Sequence, residues 1–141
     1  MARILGLDYG DRSIGVAVSD ELNIAAHGVE VIRGTDERSV KKSVARIRDI
    51  IKIYDARLIA LGYPLNMNGS EGERCEKTLL FKQRLERNFH KIPVELWDER
   101  LSSVWASRVL AGDKRSGDKI DKIAAIYILQ GYLDYRKKAS L

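Results

Sequence analysis

Apolar residues recur along this chain with two different periods. Short runs rich in apolar and β-branched residues come first: Arg3–Asp8 (RILGLD), Gly15–Ser19 (GVAVS) and Gly28–Arg33 (GVEVIR). Polar turns separate them, which predicts three strands joined by short loops as an antiparallel meander. From Val40 the period lengthens. Val40, Val44, Ile47, Ile51 and Tyr54 recur at alternating spacings of four and three, the stripe of an amphipathic helix with Lys41, Lys42, Arg46 and Arg48 facing water. Thr35 or Asp36 is its expected N-cap. Arg57–Gly62 (RLIALG) is a continuous apolar run stopped by Pro64, as in a strand buried on both faces. Ser70-Glu71-Gly72-Glu73 matches a capping box, in which the serine caps the Glu73 N–H, and predicts a helix over roughly 71–90. Ile92–Trp97 (IPVELW) reads as the next strand. A short helix with Leu101, Val104 and Trp105 inward follows, then the polar loop Gly112–Asp118 and a final helix over roughly 119–136.

Three strands followed by helix, strand, helix, strand and helix make an α/β order. The expected sheet is mixed and five-stranded: three antiparallel strands, then two added in parallel through crossover helices. With 141 residues, the chain 1–141 is expected to form a single domain. Hydrophobic residues are 45% and charged residues 32%, an ordinary globular balance. A lone cysteine, Cys75, allows no intramolecular disulfide and no thiol pair for zinc, so a reducing compartment is expected. The first apolar run meets Asp8 too early for a signal-peptide core, and no later stretch approaches the length of a membrane span. A cytoplasmic protein without membrane contact is the expectation.

The net charge of +5 is unevenly shared: residues 1–70 carry ten basic and nine acidic side chains, residues 71–141 fifteen and eleven. A basic second half fits a polyanionic partner, since neutralising phosphates releases their counterions.

Candidate chemistry rests on acids at the ends of predicted strands, where the sheet fixes the backbone that carries them. Asp8 ends the first strand and Asp98-Glu99 the last, and Asp121 lies in the first turn of the final helix. Each has a plain structural reading too: Asp8 starting a hairpin turn, Asp98 capping the short helix, Asp121 with Asp118 capping the final one. Together they suggest an oxygen-ligand site for a hard divalent cation, Mg²⁺ or Mn²⁺. Two such ions can activate a water and stabilise the leaving oxygen of a phosphodiester without help from histidine or cysteine. The inventory agrees by elimination. His27 and His90 are the only histidines and read as structural, Cys75 as packing, and neither GxxxxGK[ST] nor GxGxxG occurs.

Four stretches then carry a family resemblance: LGLDYGDRSIGVAVSD at 5–20, GYPLNMNGSEG at 62–72, WDERLSSVWA at 97–106 and KIDKIAAIYILQGYL at 119–133. In this order and with these gaps they resemble the YqgF/RuvX family of the RNase H-like superfamily, bacterial proteins described as precursor 16S rRNA nucleases or as Holliday-junction-resolvase-like. The resemblance covers nearly the whole chain. It implies an RNase H-like mixed sheet flanked by helices, and matches Asp8 to the family's first-strand acid, the DER at 98–100 to its second acidic site and Asp121 to its helix acid. The chain departs from better-studied resolvases, which carry the second acid at the end of the fourth strand; here stands Gly62-Tyr63-Pro64. The second carboxylate must then come from Asp98 or Glu99. Glu99 is preferred for its reach, with Asp98 as helix cap or second ligand.

The expected activity is a two-metal phosphodiester hydrolase, an endonuclease acting on structured RNA at the 5′ end of precursor 16S rRNA. Asp8, Glu99 and Asp121 would hold the metal. Arg100 would clamp the scissile phosphate, unless it pairs with Asp98 or Asp121 instead. Lys119 or Lys122 would offset charge. Asn66 and Asn68 either build a sharp turn or hydrogen-bond phosphates and bases, while Lys114, Arg115, Lys119 and Lys122 line the approach. Two alternatives remain: a resolvase cutting four-way DNA junctions, which would want a dimer, and a non-catalytic nucleic-acid-binding ribosome assembly factor. Monomer and homodimer both stay open.

Overall fold

The computed structural model describes residues 2–101 and 118–139, except that the side chains of residues 118–121 lie outside the description. Five strands form one sheet: β1 (Arg3–Tyr9), β2 (Ser13–Ser19), β3 (Ala26–Arg33), β4 (Ala56–Tyr63) and β5 (Val94–Asp98). Their order across the sheet is β3-β2-β1-β4-β5. The first three pair antiparallel, and β4 adds to β1, and β5 to β4, in parallel. This is the mixed sheet that the element order implies. Helices α1 (Val40–Tyr54) and α2 (Glu73–Asn88) make the crossovers, and α3 (Asp118–Ala139) ends the described chain. Among the described residues no helix is long and apolar enough to cross a membrane.

The sheet is covered on both sides, by two different kinds of surface. One face presents Leu5, Leu7, Ile14, Val16, Ile59 and Leu61, and these large side chains meet Val44, Ile47 and Ile51 of α1 and Phe81 and Leu85 of α2. The opposite face is nearly smooth. Gly28 of β3 stands opposite Ala17 of β2, Ala17 opposite Gly6 of β1, and Gly6 opposite Ala60 of β4. Registered residues share a face, so one row of glycine and alanine runs across four strands. Helix α3 lies in this trench with Ala125, Leu129, Tyr132 and Leu133 against it. Its approach is so close that a Cβ on Gly6 would fall 2.6 Å from Leu129 Cβ and 3.3 Å from the Ala125 carbonyl oxygen.

The capping expectations meet corrections. Asp36 Oδ1 accepts from Arg38 N and Ser39 N, but the cap of α1 is Ser39, so Asp36 organises the turn just before the helix. The capping box at Ser70 does not form. Helix α2 starts at Glu73 with Gly72 as N-cap, because the Ser70 hydroxyl donates to Asn68 and accepts from Asn66. Leu101, expected inward, is 65% exposed at the end of a single 3-10 turn, Glu99–Leu101, in which Glu99 takes the buried position. Val104, Trp105 and the 112–117 part of the polar loop lie outside the described residues.

The trench yields a test of the packing. Gly6→Ala forces a methyl against a helix backbone that cannot swing away, so a stability loss of about 1–3 kcal/mol is expected, the usual cost of overpacking. Urea denaturation checks it; an unchanged midpoint would mean that α3 does not bear on Gly6.

Candidate active site

Asp8 stands two residues beyond Gly6 on β1 and therefore points to the face that α3 covers. It is 3% exposed. The β1–β4 register pairs Leu7 with Leu61, so one step further Asp8 is level with Gly62 near the end of β4. Gly62 in turn pairs with Trp97 of β5. Glu99 follows β5 directly, is 7% exposed, and folds back over β4: a Cβ on Gly62 would lie 2.7 Å from Glu99 Oε1. Adjacent strands are about 4.8 Å apart. The Asp8 carboxylate and the Glu99 carboxylate above Gly62 thus occupy neighbouring positions on one face, at the C-terminal edge of β1 and β4.

Asp98 and Arg100 flank Glu99 and are bound to each other. Arg100 Nη2 donates to Asp98 Oδ2 at 2.8 Å and Nε reaches both carboxylate oxygens, while the Arg100 backbone N–H donates to Asp98 Oδ1 at 3.0 Å. Of the two readings of each residue, the structure thus realises the capping aspartate and the paired arginine. The Arg100 side chain holds Asp98 below the usual carboxylate range, its backbone N–H adding to the effect. Arg100 Nη1 also donates to the Met67 carbonyl at 3.4 Å, which braces the 64–72 loop against the turn that carries Glu99.

That loop is knit internally. Asn66 and Asn68 both bond Ser70, and the Asn66 backbone N–H donates to the Ser70 carbonyl at 2.9 Å. Gly69 at φ +85 takes a left-handed conformation that glycine alone adopts freely. Beneath it, the Cys75 thiol donates to the Pro64 carbonyl, and the Tyr63 hydroxyl has Glu71 and Cys75 as neighbours. Burial, and then those two neighbours, raise the Tyr63 pKa. The turn reading of the two asparagines holds, and both remain exposed.

The other candidates divide. Asp121 falls on α3, one turn before the Ala125 carbonyl that overhangs Gly6, but its side chain and that of Lys119 are outside the described residues, as are Lys114 and Arg115 altogether. The Lys122 stem lies across Gly28 of β3, with Cε 2.7 Å from where its Cβ would be, on the far side of β1 from Glu99. His27 and His90 are both exposed. Among the described residues no group of three His, Cys, Asp or Glu side chains is placed to hold a metal ion. The pair present, two carboxylates on a rigid sheet edge, offers hard oxygen donors, the chemistry that Mg²⁺ or Mn²⁺ accepts. Gly62 is the residue that the sequence reading passed over. The signal was there in the small residues spaced by two on both neighbouring strands, Gly6 before Asp8 and Ala60 before Gly62.

Comparison with known proteins gives the same outline. The family described as "RuvX: Holliday junction resolvase" matches residues 2–135. A protein of Agathobacter rectalis named "Putative pre-16S rRNA nuclease" is 52% identical over 137 residues, covering 94% of this chain and 95% of its own. One of Clostridium novyi with the same name is 46% identical over 136 residues, covering 94% and 98%. Among solved structures, Thermus thermophilus RuvC in complex with a Holliday junction substrate superposes with a TM-score of 0.68 at 15% identity, over 99% of this chain and 98% of that one. The yeast mitochondrial Holliday junction resolvase gives 0.54 at 12% identity, over 99% and 80%. These likenesses establish an RNase H-like fold.

The Asp98–Arg100 pair makes a pH-dependent contribution whose sign follows from its cause. A carboxyl whose pKa is lower in the folded chain stabilises above the unfolded value, about 4, and that contribution is lost as pH falls. Asp98→Asn is expected to cost about 1 kcal/mol at pH 7, combining a cap and an ion pair, and the gap to the parent protein should close in acid. Thermal melts from pH 7 to pH 3 check this; a gap that stays constant would contradict it.

Proposed function

Because the chain belongs to the RuvX family, we propose that it is a metal-dependent endonuclease of structured nucleic acid that trims the 5′ end of precursor 16S rRNA. The observation that carries the reading is that buried Glu99 folds over Gly62, one strand from the buried Asp8. The names of the relatives at 46–52% identity support the choice of RNA.

Asp8, Glu99 and, from α3, Asp121 would hold Mg²⁺ or Mn²⁺, with Asp98 kept to its capping role. When bound, such a cation supplies an activated water and offsets the charge that develops on a phosphodiester. The chain's own residues do the placing. The sheet fixes Asp8, the capped 3-10 turn fixes Glu99, and the Arg100 brace fixes the 64–72 loop, whose exposed Asn66 and Asn68 amides meet the substrate backbone. Lys114, Arg115, Lys119 and Lys122 supply the cationic approach, through which a phosphate chain reaches the acids.

The experiment is a cleavage assay on matched precursor 16S rRNA and four-way DNA junctions, each with Mg²⁺ and with chelator. RNA cleavage that chelator abolishes is expected. Junction cleavage alone would favour the resolvase reading that the family's description supports, and tight binding without any cleavage would make the protein an assembly factor. Asp8→Asn should abolish cleavage while leaving the melting temperature equal or higher, since it relieves repulsion between adjacent carboxylates. Reversing Lys114 and Arg115 to glutamate should weaken RNA binding and make log K against log salt shallower by about 0.7 per lost single-strand phosphate contact. An unchanged slope would place the nucleic acid elsewhere.

A further inference from the structure

Gly62 has an ordinary backbone. The described glycines with positive φ are Gly34 and Gly69. No turn, bulge or left-handed conformation therefore calls for glycine at 62; it lies within a regular strand, paired with Trp97. Glycine there weakens a strand unless something uses the space. Two groups use it. A Cβ at 62 would lie 2.6 Å from Ile128 Cδ1 of α3, 2.7 Å from Glu99 Oε1 and 3.2 Å from Glu99 Cγ. The first two are closer than real Cβ contacts come, and the third is tighter than most. The Glu99 carboxylate occupies the volume that any other residue at this position would fill.

Resting on the nuclease reading above, we propose that Gly62 is the positioning residue of the site: its missing side chain seats the Glu99 carboxylate beside Asp8, so that the two can share one hard divalent cation. Glu99 is launched from outside the sheet, by the turn after β5. A methyl group on β4 pushes its carboxylate away from Asp8 without replacing either acid. The role is distinct from packing because the two neighbours of the absent Cβ can be altered separately.

The test follows that separation, using Mn²⁺ as the probe in isothermal titration and thermal melts as the metal-independent readout. Gly62→Ala is expected to lower Mn²⁺ affinity about tenfold or more, the scale of losing a group that orients a ligand. Gly62→Ala with Ile128→Val regains melting temperature, because the isoleucine methyl in the way is gone, while Mn²⁺ affinity stays low. Ile128→Val alone binds Mn²⁺ as the parent does. In a Glu99→Ala background, Gly62→Ala costs fewer degrees of melting temperature and no further Mn²⁺ affinity. The proposal is overturned if Gly62→Ala binds Mn²⁺ normally, if Ile128→Val restores the affinity, or if the melting cost of Gly62→Ala is the same with and without Glu99. Failure of the nuclease reading looks different. Parent protein that takes up no Mn²⁺ overturns both the reading and the role built on it, whereas normal uptake by the parent and by Gly62→Ala alike overturns the positioning role alone.

Discussion

The close seating of α3 on a row of side chains no larger than a methyl group is the constraint on which the rest of this structure depends. Gly28, Ala17, Gly6 and Ala60 form a level floor across β3, β2, β1 and β4, and the helix sits so low on it that Leu129 Cβ and the Ala125 carbonyl lie almost at the Gly6 backbone. A helix resting on leucines would stand several ångströms higher. At this depth Ile128 reaches the space over Gly62, and the last turns set Tyr132 on Glu95 of β5. Burial and the bond to Glu95 push the Tyr132 hydroxyl up to about 12, so it stays a neutral donor in this contact at any ordinary pH. The same floor that anchors the helix therefore decides which groups meet at the sheet edge.

Around the acids the division of labour is between groups that are exposed to choice and groups that are not. Asp98 and Arg100 satisfy each other and close the turn, so the arginine acts as a brace joining that turn to the Met67 carbonyl. Asp8 and Glu99 stay buried on the sheet edge. Carboxylates on neighbouring strand positions would repel each other, and a divalent cation bound between them would offset that repulsion. On the reading proposed above, stability is traded for chemistry here, as at many functional sites.

Much of this was legible in the sequence, because periodicity reports burial directly. The stripe from Val40 to Ile51 and the continuous run at 57–62 each follow from which faces meet water, and strand order follows from short loops and crossover helices. Asp98 was also legible as a helix cap, and the structure uses it to cap the turn that carries the buried Glu99. What escaped was competition and register. Ser70 has the right neighbours for a capping box, yet Asn66 and Asn68 claim its hydroxyl first, and no local rule ranks those partners. Leu101 follows the helical pattern, but in its 3-10 turn Glu99 takes the buried position and Leu101 faces water. The trench and the seat at Gly62 need residues from four strands to be aligned, and a single sequence read along its length does not align them.

The central claim is that Asp8 and Glu99 are two halves of one cation site. Anomalous diffraction from a crystal soaked in Mn²⁺ tests it most directly. The account predicts a peak between the two carboxylates with oxygen ligands at about 2.0–2.2 Å from Asp8 and Glu99 and the Asp98–Arg100 pair intact. Mn²⁺ bound instead at Asp98, with Arg100 displaced, or at a place that touches neither Asp8 nor Glu99, would contradict it.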